Sequence, residues 1–402
     1  MKNKEQMPFI EQLLNGENVE WKPLGEVCEY EQPSKYLVSS TMYNDSYPIP
    51  VLTAGKSFIL GYTNENFGIY KASEHQTIIF DDFTTDIKWV DFDFKAKSSA
   101  MKMITSKDEN IALLKFIYYW LCTLPQETNI GNHKRNWISK YTKLLIPLPP
   151  LSVQHKIVEI LDKFTELEAE LEAELDCRKR QYEYYRNQLL SFDMLNRGGQ
   201  KLNDVKIMTL GEIGTFVRGS GLQKKDLTTQ GIPAIHYGQI YTYYGTYAKK
   251  TKSFVTKEMA EKLKKVNYGD VIITNTSENI EDVCKAVVYL LKEQGVTGGH
   301  ASIFKPSEKI IGKYLAYYTQ TTDFAKEKRK FAKGTKVIDV NAKDLAKIKI
   351  PLPPLSVQRE IVEILDKFDT LCNSISEGLP KEIELRRKQY EYYRNQLLTF
   401  AQ

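Results

Sequence analysis

The sequence predicts an α/β (α+β) chain built twice: two globular modules, each followed by a long helix, with the two helices paired antiparallel, coiled-coil-like, about an internal pseudo-two-fold axis. Three observations predict it. The nine residues IPLPPLSVQ occur at Ile146–Gln154 and again at Ile350–Gln358, and QYEYYRNQLL occurs at Gln181–Leu190 and Gln389–Leu398. Between these blocks, KIVEILDKF (Lys156–Phe164) answers EIVEILDKF (Glu360–Phe368), with apolar residues on the same steps. The segments ahead of each block share a frame of short motifs but little else. A repeat 204 residues apart is far too long for a solenoid, so it is duplication of a half-molecule.

The modules occupy residues 1–145 and 206–349. Each opens on a similar phrase, Leu24-Gly25-Glu26-Val27 and Leu210-Gly211-Glu212-Ile213, and carries a β-rich run, Gln76–Phe80 and Asp270–Thr274. Aromatic helices follow around Lys115–Leu121 and Lys313–Thr319, and a glycine-basic loop leads back to the prolines. A shared frame with different filling points to homologous modules that take different ligands.

The helical regions span 146–192 and 350–402, and the linker between halves is 193–205, containing Arg197-Gly198-Gly199. Pro149-Pro150 and Pro353-Pro354 bar a helix upstream, so each helix is expected to start just after them, with Ser152 or Ser356 as N-cap. Val153, Ile157, Ile160, Phe164, Leu167 and Leu171 then step by four and three. Val357, Ile361, Ile364, Phe368, Leu371 and Ile375 do the same. That is an a/d seam. It continues at heptad spacing through Leu175, Tyr182 and Leu189, and through Ile383, Tyr390 and Leu397. One such stripe would be read as packing on its own module; two matching stripes point to each other as partners.

The copies differ in the middle. Asp162–Leu190 holds 29 residues and Asp366–Leu398 holds 33, a surplus of four. The first copy runs through Leu-Glu-Ala-Glu units from Leu167, all strong helix formers. The second carries Gly378-Leu379-Pro380, a helix stop and restart. Four helical residues rise about 6 Å, comparable with one or two base steps of about 3.4 Å. A molecular ruler has this construction.

Composition bounds the rest. At 402 residues, 42% hydrophobic and 11% aromatic, the chain is globular and long enough for two or three domains. A net charge of +5 permits a nucleic-acid partner without requiring one. Cys28, Cys122, Cys177, Cys284 and Cys372 form no CxxC pair, which fits a reducing, cytoplasmic setting. His75, His133, His155, His236 and His300 lie too far apart for a local metal motif. No signal peptide is expected at the N-terminus, and the greasiest stretch, Ile111–Leu124, is short and broken by Lys115, so no membrane span is expected.

The doubled IPLPPLSVQ…ILDKF…QYEYYRNQLL blocks around two dissimilar modules resemble the specificity (S) subunits of type I DNA restriction–modification systems over nearly the whole chain. The Leu-Glu-Ala-Glu run and the Gly-Leu-Pro break resemble the IC class in particular. The resemblance implies that the chain is not itself catalytic and that each module is a target recognition domain reading one half of a split site on double-stranded DNA. It implies that the helical pair sets the spacer and docks two methyltransferase (M) subunits, with two restriction (R) subunits joining for cleavage. No cofactor is then expected on this chain: S-adenosylmethionine belongs to M, and ATP with magnesium to R.

Charge supports DNA reading unevenly. Lys206–Lys349 carries 25 Lys/Arg against 14 Asp/Glu, a net +11, whereas Glu20–Leu145 carries 14 against 15. In module one the candidate DNA-binding residues are Lys56, Lys88, and the loop residues His133, Lys134 and Arg135 beside Trp137. Module two offers Lys224, Lys225, and the run Lys326–Lys336 with Lys328, Arg329, Lys330, Lys333 and Lys336, plus Lys249-Lys250. Such cations neutralise phosphates and fix register. Arg135, Arg218, Gln239 and Asn275 have the fork or amide chemistry that reads base edges.

Other chemistries fail on spacing. Ala54-Gly55-Lys56-Ser57 ends like a P-loop, but Pro50 stands where the first glycine belongs. Asp86-Ile87-Lys88 has a nuclease-like ending with no Pro-Asp before it, and no Asn/Asp-Pro-Pro-aromatic motif of amino-methyltransferases occurs. No metal ligands or catalytic residues are assigned. The alternative to a DNA-specificity subunit is a non-catalytic scaffold whose two modules bind proteins.

Overall fold

A computed structural model describes residues 9–54, 57–125, 135–197 and 205–401. Two compact units cut across the chain order: residues 1–170 with 384–402, and residues 171–383. Each unit combines one module, the opening of the helix that follows it, and the closing part of the other copy's helix.

The two modules have one topology. In the first, a four-stranded antiparallel sheet runs Cys28–Glu31, Met101–Ser106, Thr77–Asp81, Ile87–Val90. In the second, Gly214–Arg218, Ala301–Pro306, Val271–Thr274 and Ala286–Tyr289 follow the same order, with Tyr247–Ala248 added at the edge. The smaller sheets share a three-stranded frame, to which the second module adds Lys264–Val266 beside Gly295–Thr297. Ile49–Leu52 lies between antiparallel Ile59–Thr63 and parallel Lys95–Ala96. Ile232–Ile235 lies between antiparallel Ser253–Val255 and parallel Gly295–Thr297. Every residue of Thr77–Asp81 and of Val271–Thr274 is buried, which is why these strands read as unbroken apolar runs rather than alternations.

The first proline of each repeat, Pro147 or Pro351, sits in a strand, and Pro149-Pro150 and Pro353-Pro354 form the short connection from that strand to the helix. Leu145–Leu148 pairs antiparallel with Glu20–Pro23, and Lys349–Leu352 pairs with Lys206–Thr209. Each pair is a two-stranded ribbon, so both strands are edges and a missing N–H is tolerated. The helices begin at Leu151 and Leu355, directly after the prolines. Ser152 and Ser356 therefore lie inside the first turn and are not N-caps, a correction to the sequence expectation.

The last letter of IPLPPLSVQ anchors the helix. Gln154 is fully buried; its Oε1 accepts from Leu113 N–H (3.0 Å), and its Nε2 donates to the carbonyls of Ile111 and Pro149 (both 2.9 Å). Gln358 is fully buried too and makes the same three bonds, to Ile311 N–H (2.9 Å), Lys309 O (2.9 Å) and Pro353 O (2.8 Å). Further along, Tyr119 donates its hydroxyl to Asp162, beside Lys115 at 3.5 Å. In the second unit Tyr317 and Lys313 both reach Asp366 at 2.6 Å.

The seam departs from the a/d pattern at its start. Val153, Ile157 and Leu161 are buried, as are Ile361 and Leu365, whereas Ile364 is exposed and Ile160 only half-buried. These turns pack on their own module, and a straight helix on a core buries a stripe of period 3.6. Beyond them helix meets helix. Phe164 stacks on Tyr393 at 5.4 Å and lies 6.4 Å from Tyr390. In the second unit Phe368 stacks on Tyr182 at 6.0 Å and Tyr185 at 5.7 Å. An early residue of each copy meets late residues of the other, which is antiparallel pairing repeated by pseudo-symmetry. Leu189 packs against the core of the second unit and Leu397 is buried in that of the first.

The middle of the first helix is bare. It runs unbroken through Leu151–Leu189, yet residues 165–174, with exposed Leu167 and half-buried Leu171, contain no buried side chain. The second copy breaks between Asn373 and Gly378. Gly378 has φ +77°, and a Cβ there would stand 2.5 Å from the Thr370 carbonyl, so only glycine fits. The four residues between the helix ends account for the four-residue surplus, which leaves the helix instead of lengthening it. Ile375 lies in this break at 80% exposure and is no seam residue. The expected linker opens as a helix, Phe192–Arg197, with Leu195 buried in the second unit's core.

Replacing Gln154 or Gln358 with Ala strands one backbone N–H and two carbonyls in each case. The expected cost is about 1–3 kcal/mol per site, read as a lower denaturant midpoint; unchanged midpoints for both would show that the anchors carry no stability.

Candidate nucleic-acid interface

At one end of module two, loops from five segments are tied together. Gly219 N–H donates to Ala301 O (2.9 Å), Asn275 N–H to His300 O (2.9 Å), and Val340 N–H to Asn275 O (2.9 Å). Thr276–Ser277 pairs with Ile338–Asp339, the far side of the glycine-basic turn. Tyr241 donates its hydroxyl to Thr276 O at 2.7 Å, fastening the helix Tyr237–Thr242 to the same strand end.

The candidate residues divide sharply here. Arg218, Lys224, Lys225 and Lys336 are exposed. Arg329 is exposed, with Glu281 at 3.7 Å, and Lys330 pairs with Glu327. Lys333 is exposed but reaches buried Asp344 (2.8 Å); with Lys347 it holds that carboxyl down at about 2. Three candidates spend their polar groups inside the module, and the burial of two of them, Lys328 and Asn275, corrects the sequence reading. Lys328 is buried, donating to Glu281 O (2.7 Å) and Val283 O (2.8 Å), and desolvation lowers its pKa. Asn275 is buried, its amide donating to Val340 O (2.7 Å) and accepting from Ser302 Oγ (2.9 Å). Gln239 is half-buried and spends its amide on Ser253 Oγ (2.6 Å).

Module one repeats the arrangement with other letters. Asp82, like Asn275, directly follows the fully buried strand; its Oδ1 accepts from Trp137 N–H (2.8 Å) and its carbonyl from Asn136 N–H (3.1 Å). Its other oxygen faces Lys102 at 3.4 Å, a buried ion pair. Trp137 is fully buried against Phe80 at 5.2 Å, so it belongs to the core and not to a DNA face. Arg135 and Lys88 are exposed. Lys56, His133 and Lys134 lie outside the described residues. Lys95, also fully buried, bonds Glu65 (2.9 Å) and Phe67 O (2.8 Å), while Glu65 accepts from the backbone of Ser39 and Ser40 (2.9 and 2.8 Å). That network sets the loops of module one by internal charge.

Sequence reasoning missed His236, Tyr237 and His300. Tyr237 lies 4.6 Å from His236 and 4.7 Å from His300, ring to ring, and His300 Nδ1 is 3.1 Å from Thr276 Oγ1. A signal was available: IPVLTAGK (Ile49–Lys56) and IPAIHYGQ (Ile232–Gln239) share I-P and G at matching places. Ile49–Leu52 and Ile232–Ile235 are equivalent central strands, so Thr53 and His236 directly follow matching strand ends.

Among the described residues no group of three or more His, Cys, Asp or Glu could hold a metal ion, and no helix is long and apolar enough to cross a membrane. Two modules of one topology, each rimmed by its own loops and joined by paired helices, define a two-module recognition subunit. Residues 16–176 and 203–385 match the type I restriction modification DNA specificity domain, and the chain belongs to that family. The type I restriction enzyme EcoR124I/EcoR124II specificity subunit of Escherichia coli is 47% identical over 406 residues, covering 98% of each chain. The S subunit of a type I restriction–modification system from M. genitalium shares the fold at a TM-score of 0.56 and 18% identity, over 96% of this chain and 98% of that one. A chain from a structure concerned with complex assembly and conformational transition of the type I system gives 0.57 and 17%, over 95% and 98%.

Asn275→Ala removes the amide between Val340 and Ser302. It is expected to lower stability by about 1–3 kcal/mol and to speed amide exchange in the 333–340 segment. Lys336→Ala should leave both unchanged; equal effects of the two would contradict the clamp assigned to Asn275.

Proposed function

We propose that this chain, a type I specificity subunit and not itself an enzyme, reads a split site on double-stranded DNA, one half-site per module. The observation that carries the reading is the pairing of one strand order with two unlike loop rims. Duplicated frames keep geometry constant while the rims choose ligands. Target recognition domains at 1–145 and 206–349, helical spacers at 146–192 and 350–402, and a linker at 193–205 are the corresponding assignments. Exposed Arg218, Lys224, Lys225 and Lys336 in module two, and Arg135 and Lys88 in module one, are the phosphate and base contacts it favours.

In this reading the chain works in the cytoplasm with two M subunits and two R subunits. S-adenosylmethionine is bound by M, and ATP with magnesium by R, so the modification and cleavage chemistry lies off this chain. Family membership does not favour the scaffold alternative.

The direct test is methylation-site mapping of the assembled complex. A bipartite motif with an adenine modified in each half is expected. Exchanging module two for that of a relative should replace one half-site and keep the other; an unchanged modification pattern overturns the reading. Deleting Leu171–Glu174 removes no buried side chain and about 6 Å of helix. The expected outcome is a shorter preferred spacer with both half-sites intact; altered half-site letters would contradict the ruler.

A further inference from the structure

We propose that His236 reads a base edge in the half-site of module two, presenting its Nε2–H to an acceptor such as a purine N7, guanine O6 or thymine O4. The inference rests on module two being a DNA-reading domain and adds the residue and the hydrogen-bond polarity of one contact.

Four features of the structure converge on this side chain. Gly238 N–H donates to His236 Nδ1 at 3.2 Å. An accepting Nδ1 fixes the neutral ring in the tautomer with its proton on Nε2, so the far nitrogen is a donor of defined polarity. Nε2 has no partner among the described residues, and the ring is half-buried. The ring is also braced: Tyr237 packs against it at 4.6 Å, His300 packs on Tyr237 at 4.7 Å, and Thr276 holds His300 at 3.1 Å. A reader whose rotamer is locked by its neighbours loses little entropy on binding. Burial, with His300 and Lys224 adding to it, holds the imidazole below its ordinary pKa, in keeping with a neutral donor.

The placement suits the role. His236 directly follows the central strand Ile232–Ile235, at the end where the loops of module two are tied together. Exposed Arg218, Lys224, Lys225 and Lys336 belong to the segments around it and can hold phosphates. A donor-only contact discriminates because cytosine N4 and adenine N6 are themselves donors on the major-groove edge. Asn275 and Gln239, the amides that composition favours for this work, are consumed inside the module.

The test uses the complex with M and duplexes in which each base pair of the module-two half-site is replaced in turn, with 7-deazapurines included. His236→Asn keeps an acceptor for Gly238 N–H, since Asn is a favoured N-cap, but lacks the distant donor. The expected result is loss of about tenfold discrimination at one position of that half-site, with the module-one half-site read as before. His236→Ala should lose the same discrimination, and intact module-one binding shows that the complex is folded. Unchanged discrimination by His236→Asn at every position overturns the proposal. That outcome leaves the two-domain reading in place; failure of module exchange to move a half-site would remove that reading first.

Discussion

A long helix can pack against a globular module at many angles, and this fold depends on removing that freedom. Gln154 and Gln358 do so. Each side chain accepts one bond from and donates one to the backbone of the loop ahead of the module's aromatic helix, and donates a second to the proline carbonyl just before its own helix. Left unpaired in a dry site, those groups would be costly. Asp162 and Asp366, eight residues on and about 12 Å along the axis, give each helix a second fixed point on its own module. Two points determine a line. The pairing of Phe164 with Tyr393 and of Phe368 with Tyr182 follows from that direction.

The modules use buried polarity in a second way, to shape their rims. Asp82 and Asn275 occupy the same topological place and hold the chain as it returns from the glycine-basic loop. Lys95, Lys102 and Lys328 are buried cations tied to carboxylates or carbonyls. Net charge therefore misstates the surface: some lysines counted towards DNA binding are spent on holding loops. Module one, which has no cationic excess by composition, also hides two lysines inside.

Much of the architecture was legible beforehand because the repeat states it twice. Antiparallel pairing was implied by matched stripes, and the helix break by Gly378. The errors have a common origin. Ile375 continued the step pattern but falls in a segment expelled from the helix. Ile160 and Ile364 fit a heptad, yet the opening turns face a module and obey a different period. Asn275 and Lys328 had the right chemistry for DNA and the wrong burial, while the His236–Tyr237–His300 stack joins residues more than sixty positions apart in sequence.

The duplication, the order of modules and helices, one buried strand in each module and the family were all readable from the chain's letters. These are written in local patterns, which neighbouring residues set through backbone preference and periodic burial. Tertiary structure alone decided which polar side chains face inward and which loops share a rim. That choice depends on hydrogen-bond partners supplied from distant parts of the chain, and no window of sequence contains them.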